Sequence, residues 1–124
     1  MTAYREGDRT SVTAAVDLST KQFQLVKTDA EGKLVLATAA TDAILGVLDN
    51  APVAGLTADV VLINGQGTFK VRLAANTAKD AYLTTDADGK AVATTNAGDR
   101  VFGRLVRAGQ AGEIAEYIKL NEKF

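Results

Sequence analysis

Short apolar runs broken by Asp-Gly, Glu-Gly and Asn-Gly pairs set the rhythm of this chain. Glycine after an acidic or amide residue supplies the positive φ angles of tight hairpin turns, so these pairs predict strands on either side. Gln24-Leu25-Val26-Lys27 is expected to pair with Lys33-Leu34-Val35-Leu36, and Ala81-Tyr82-Leu83-Thr84 with Lys90-Ala91-Val92-Ala93. A third strand reads Ile44-Leu45-Gly46-Val47-Leu48 in one half of the chain and Val101-Phe102-Gly103-Arg104-Leu105 in the other. A fourth runs from Asp59 to Ile63 and from Glu116 to Leu120. Two further stretches, Ser11 to Val16 and Thr68 to Leu73, are β-branched or alternating and read as strands as well.

The halves are copies. Thr28-Asp29-Ala30-Glu31-Gly32-Lys33 recurs as Thr85-Asp86-Ala87-Asp88-Gly89-Lys90, and the match continues without a gap to Ile63 and Leu120. Two copies are too few for a solenoid, so the period signals a duplicated supersecondary unit. Alternation places Ile44 with Val101, Gly46 with Gly103 and Leu48 with Leu105 on one shared core face. Val47 corresponds to Arg104 on the opposite face, which is expected to be the outer one. Val61/Ile118 and Ile63/Leu120 mark the core side of the fourth strand, with Leu62 and its counterpart Lys119 outside. The predicted fold class is all-β: a small β-barrel-like or β-tulip domain over residues 11–124, built from two four-strand repeats at about 24–63 and 81–120. Residues 1–10 carry little apolar payload and are expected to form a flexible N-terminal arm. Ala37 to Ala43 reads as loop, Ala74 to Lys79 as a connection with one helical turn capped by Asn76 or Thr77, and Asn121 to Phe124 as a frayed tail from which Phe124 can dock.

Composition narrows the chemistry. The 124 residues contain no cysteine, histidine or tryptophan, and the net charge is −1. A chain of this length buries roughly two thirds of its unfolded surface without needing a metal or a disulfide. Without cysteine there is no disulfide framework or thiolate zinc site; without histidine the usual general base and commonest metal ligand are missing. Interspersed charges offer no basic stripe for nucleic acid and no polybasic membrane patch. Gly65-Gln66-Gly67 leads into a strand and not a helix, which argues against a phosphate loop. Asp86-Ala87-Asp88-Gly89 has no completing glutamate and reads as a hairpin turn, not a calcium loop. No catalytic residue, metal or cofactor is expected. The start lacks the basic and apolar regions of a secretory signal, so the chain is expected to be made in the cytosol and to stay soluble. Candidate partner-binding residues are Tyr4 as an aromatic anchor on the arm, Arg5 and Arg9 beside it, and Arg104 with Arg107 as a patch at a subunit contact.

Gly46-Val47-Leu48, Ala51-Pro52 and Gly55, then Val61-Leu62-Ile63-Asn64-Gly65, Tyr82-Leu83-Thr84, Gly89-Lys90-Ala91-Val92, Gly103 and Gly112-Glu113 together resemble the small capsid decoration, or cement, proteins of bacteriophages. The likeness spans roughly Gly7 to Leu120 and rests on turn spacing and on an aliphatic-Gly-leucine strand. It implies a compact non-enzymatic β domain that assembles as a homotrimer on the outer surface of the phage head and clamps the major capsid protein lattice. The segment ahead of Ser11 would order on the capsid, and the protein would be made in the bacterial host cytoplasm. Lys79-Asp80 stands where the family tends to have Gly-Asp, and the charged arm is longer than in many members. Two other classes fit the residues: a β adaptor or adhesion module of a phage tail or cell surface, and a non-catalytic accessory subunit of an enzyme.

Overall fold

A computed structural model describes residues 7–124, which form ten strands and, among the described residues, no helix. The strands are β1 (Arg9–Thr13), β2 (Leu25–Thr28), β3 (Leu34–Leu36), β4 (Gly46–Leu48), β5 (Thr57–Leu62), β6 (Thr68–Arg72), β7 (Tyr82–Thr85), β8 (Ala91–Ala93), β9 (Arg100–Leu105) and β10 (Ile114–Lys123). They make two five-stranded sheets, in the order β1-β5-β4-β2-β3 and β6-β10-β9-β7-β8. Strand for strand the two orders are equivalent, and so is the register. Gly46 lies opposite Val26 and Leu62, and Gly103 opposite Leu83 and Lys119. The repeated acid fixes each hairpin. Asp29 Oδ1 accepts the amides of Glu31 and Lys33 at 2.9 and 3.0 Å, and Asp86 Oδ1 those of Asp88 and Lys90 at 2.8 and 2.9 Å.

Each sheet curls toward itself. Ala14, just beyond β1, bridges Leu34 on the far edge strand, and Leu73, just beyond β6, bridges Ala91. One bridge is not a ladder, so neither sheet closes into a barrel, and the expected four-strand units are open five-stranded sheets. The added strand is β1 or β6. β1 begins at Arg9, which puts Arg9 and Thr10 in the sheet and not in an arm. Of the rest of the expected arm, Gly7 and Asp8 precede the strand and residues 1–6 lie outside the described residues.

Inside the first sheet Val26, Leu34, Leu48, Ala58 and Val60 are buried with Ala14 and Leu18. Their counterparts Leu83, Ala91, Leu105, Tyr117 and Leu73 fill the second half, in a cluster that also takes in Leu25, Ala37, Ile44 and Val47 from the first. Alternation turns Leu25 and Val47 away from Val26 and Leu48. The back of the first sheet therefore packs on the second half, and Val47, expected on an outer face, is buried. Only the second copy keeps that face exposed, at Tyr82. Lys119 is likewise buried where an outward side chain is expected, and Val60 with Tyr117, more than Ile63 with Leu120, fills the core from β5 and β10. The C-terminus is paired and not frayed: β10 runs to Lys123 through an irregularity between Lys119 and Glu122, and Phe124 packs edge-on against Tyr82 with centroids 5.3 Å apart. Residues 74–79 hold no helical turn; Thr77 and Gly109 exchange backbone hydrogen bonds at 2.9 and 3.0 Å, and Asn76 Oδ1 accepts the Ala111 amide.

Glycine in the third strand follows from close approach. A Cβ on Gly46 would come within 2.8 Å of Val60 Cγ1, and one on Gly103 would run into the Tyr117 ring. Leu48 and Leu105 flank these sites and are fully buried. Leu48→Ala and Leu105→Ala should each cost about 2–5 kcal/mol in denaturant unfolding; unchanged midpoints would contradict the packing. Tyr117 is fully buried with no hydrogen-bond partner for its hydroxyl among the described residues, and that burial pushes the phenol well above its ordinary pKa. Tyr117→Phe removes an unsatisfied polar atom, so the midpoint should stay level or rise; a clear fall would reveal a partner for the hydroxyl.

Candidate functional site

Of the partner-binding residues read from sequence, the described ones, Arg9, Arg104 and Arg107, each make a separate ion pair. Tyr4 and Arg5 lie outside the described residues. Arg9 opens β1, pairs with Asp49, and sets its guanidinium 5.8 Å from the Phe69 ring centroid across the boundary between the halves. The Asp49 hydrogen bond raises its pKa above the ordinary value. Arg104 pairs with Asp80 at 2.6 Å, and Arg107 with Glu116 at 3.0 Å. Arg104 and Arg107 therefore serve two separate ion pairs. Exposed pairs of this kind contribute little stability, typically below about 1 kcal/mol. Arg9, Arg104 and Arg107 are already partnered, so a binding partner must compete with an internal acid at each.

Reasoning from residue types missed the aromatic site. Tyr82, in register with Arg104, is 41 % exposed, and Phe124 beside it is 36 % exposed. With Asp80 and Arg104 they form an amphipathic patch on the outer side of the second sheet, of the aromatic-plus-arginine type enriched in interface cores. The signal lay in the repeat itself: Asp80, Tyr82 and Arg104 stand where the first copy has Phe23, Leu25 and Val47. Where a copied apolar position turns polar or amphipathic, its face has lost its cover. A groove of about 460 Å³ also runs between the halves, lined by residues including Ile44, Leu45, Ile63, Arg100, Phe102 and Asn121. Among the described residues no group of three acids is placed to hold a metal ion.

One charge sits deep. The Lys119 side chain is 1 % exposed and its Nζ lies 3.3 Å from Asp8 Oδ2, which ties the root of the N-terminal segment to the last strand. The Lys119 hydrogen bond and charge hold the Asp8 carboxyl below its usual pKa. The Ser19 amide does the same for Asp17, and Thr68 and then Arg107 for Glu116. Burial acts to raise Asp42, but the Thr38 and Ala39 amides and the Lys27 ammonium outweigh it and leave this pKa lowered too.

No protein-family model and no curated protein matches the sequence. Among solved structures the chain is similar to the crystal structure of the head fiber gp8.5 N base of bacteriophage phi29, with a TM-score of 0.72 and 18 % identity over 94 % of this chain and 96 % of that one. At that identity the likeness shows a shared all-β fold.

The lowered carboxylates set the sign of the acid response. Each contributes stability that is fully present above its unfolded pKa, about 4, and is lost as pH falls through the lower folded value. Melting temperature should hold from pH 7 to about 5 and fall below about 4. Lys119→Leu, which installs the residue type of its counterpart Leu62, should keep or raise stability at pH 7 and flatten the acid limb, because a buried ammonium is replaced by an apolar group. An acid limb equally steep in both proteins would remove Asp8 from the account.

Proposed function

We propose that this chain is a structural protein of a phage virion: a decoration protein that seats on the outside of the head as a homotrimer and stabilises the major capsid protein lattice. The observation that carries the reading is the likeness in fold, across nearly the whole of both chains, to a phage head fiber base. The sequence resemblance to decoration proteins leads to the same place by an independent route. In this role no bond is made or broken. Each bound copy adds interface free energy that the shell must give up to open, and many copies raise the threshold for bursting.

The same likeness favours a second reading, in which the domain is the base of a head-attached appendage. The two differ in number: a cement protein fills every equivalent lattice position, and an appendage base fills few.

Purified protein should be titrated onto phage heads that lack it and co-sedimented. Saturable binding near one trimer per equivalent lattice site, with a higher temperature of DNA release, supports the cement reading; saturation at far lower occupancy supports the appendage base. Absence of co-sedimentation overturns both. Tyr4, Arg5 and Arg9 are assigned to the head contact, and Arg104 with Arg107 to the contact between subunits. Since Arg9 and Thr10 are sheet residues, the informative truncation removes residues 1–6 only. It should leave melting temperature unchanged and weaken head binding at least about tenfold, with Tyr4→Ala giving part of that loss. Equal affinity of the truncated protein would move the contact to the β body.

A further inference from the structure

The two halves are joined through unlike surfaces. The first half offers Phe23 and Leu25: the Phe23 carbonyl accepts the Arg72 amide at 2.8 Å, and the Leu25 amide donates to the Gly89 carbonyl at 2.7 Å. Arg72 can donate there because β6 spends alternate residues on β10, as the Leu73 amide does on Glu113. Gln24 Nε2 adds a bond to the Asp88 carbonyl at 2.6 Å.

Because the halves are copies, both surfaces occur a second time, at the two ends of the molecule. The offering surface recurs at Asp80 and Tyr82. Asp80 has a φ of 66° against 67° for Phe23, and its amide meets Leu105 as that of Phe23 meets Leu48. The receiving surface recurs at Thr13 and Gly32. The Ala14 amide donates to Leu56 as that of Leu73 does to Glu113, so the main chain of Thr13 points outward like that of Arg72. Gly32 has open space where Gly89 is crowded by Leu36 and the Leu25 carbonyl.

The side chains change in step. Phe23 rests on Phe69, with its ring centroid 4.8 Å from Lys70 Nζ. At the ends Asp80 takes the place of Phe23, and Thr10 and Ser11 take those of Phe69 and Lys70, so a carboxylate would face hydroxyls. An internal apolar contact has an external polar version, with Tyr82 as its aromatic anchor.

We propose that copies of this chain join head to tail by repeating their own internal contact, the end carrying Asp80, Tyr82 and Arg104 of one copy docking on the edge carrying Ser11, Thr13 and Gly32 of the next. A contact between unlike surfaces closes into a ring or runs on as a filament. The proposal rests on the preceding functional reading only for the number of copies, a closed trimer.

The chain has no cysteine, so introduced thiols report on one contact at a time. Ala81→Cys and Glu31→Cys sit at the positions equivalent to Gln24 and Asp88 and leave Tyr82 intact. Single-cysteine proteins mixed under oxidised glutathione should give the 31–81 disulfide in excess over 31–31 and 81–81, and the double variant should run as a covalent trimer on a non-reducing gel. Arg104→Glu should weaken the trimer at least about tenfold in sedimentation equilibrium. A wild-type monomer at tens of micromolar, or 81–81 and 31–31 links in place of 31–81, would overturn the proposal. A 31–81-linked trimer that ignores heads sinks the functional reading alone; heads bound by protein lacking that link sink this one alone.

Discussion

The contact made by Phe23 and Leu25 with the second half decides which faces of the two sheets are apolar. Phe23 is held in left-handed backbone, a region that costs a non-glycine residue about 1–2 kcal/mol and is uncommon for a bulky one. Its ring offsets that cost by packing edge-on against Phe69, and its carbonyl satisfies an edge amide of β6 that would otherwise need water. Once this loop is seated, Leu25 and Val47 have no route to solvent, and the back of the first sheet must be apolar. The second sheet carries the same backbone but, among the described residues, has no other sheet docked behind it, only Phe124 against Tyr82. Aspartate tolerates the left-handed angle far better, so Asp80 replaces phenylalanine, and Tyr82 and Arg104 replace Leu25 and Val47. One packing event thus accounts for the main divergences between two copies of one fold.

Much of this was legible in the sequence, and what was not has a physical cause. Gapless repetition from Thr28 to Ile63 located the hairpins, the glycine strand and the loop at Asp42 and Asp99. The first strand escaped the repeat because its connection to the second differs in length, residues 14–24 in one half and 73–81 in the other, which breaks the register of any ungapped comparison. Alternation told which residues share a face, but it could not tell which face of a sheet buried on both sides was the outer one. Val47 was therefore misplaced. Lys119 was misplaced for a different reason: a charged residue type argues for exposure, yet its ammonium is compensated by Asp8, distant in sequence at the start of the chain. The aromatic patch was hidden because Tyr82 looks like an ordinary strand residue until it is compared with Leu25.

The interiors show how little sequence the fold demands. Val60 in the first sheet and Tyr117 in the second occupy one topological position, and the larger side chain is accommodated with Ala91 where the first copy has Leu34. Volume is roughly conserved across the pair while shape is not, as packed cores tolerate. The tyrosine leaves its hydroxyl unpaired among the described residues, so the second interior is less well satisfied. Gly46 and Gly103 do not vary between the copies, because the partner strand runs too close to admit a Cβ. Backbone proximity is the stricter constraint, and it survived duplication where side-chain identity did not.

The arrangement of charge bears on how such a domain would hold a partner. Arg9, Arg104 and Arg107 all sit on internal acids, so recruiting any of them to a partner exchanges one ion pair for another, with small net affinity and some gain in selectivity. Apolar area has to supply the affinity, and among the described residues the exposed aromatic side chains, Tyr82 and Phe124, stand together on the second sheet. If that patch joins copy to copy, the head contact is left to another element. The N-terminal segment is rooted for such a task. Asp8 is fixed to buried Lys119 and its carbonyl accepts the Leu62 amide, so the first described residues are anchored to both halves. A load applied through that segment would pass directly into the final strand of each sheet, β5 and β10, which lies second from the edge in its five-stranded ladder.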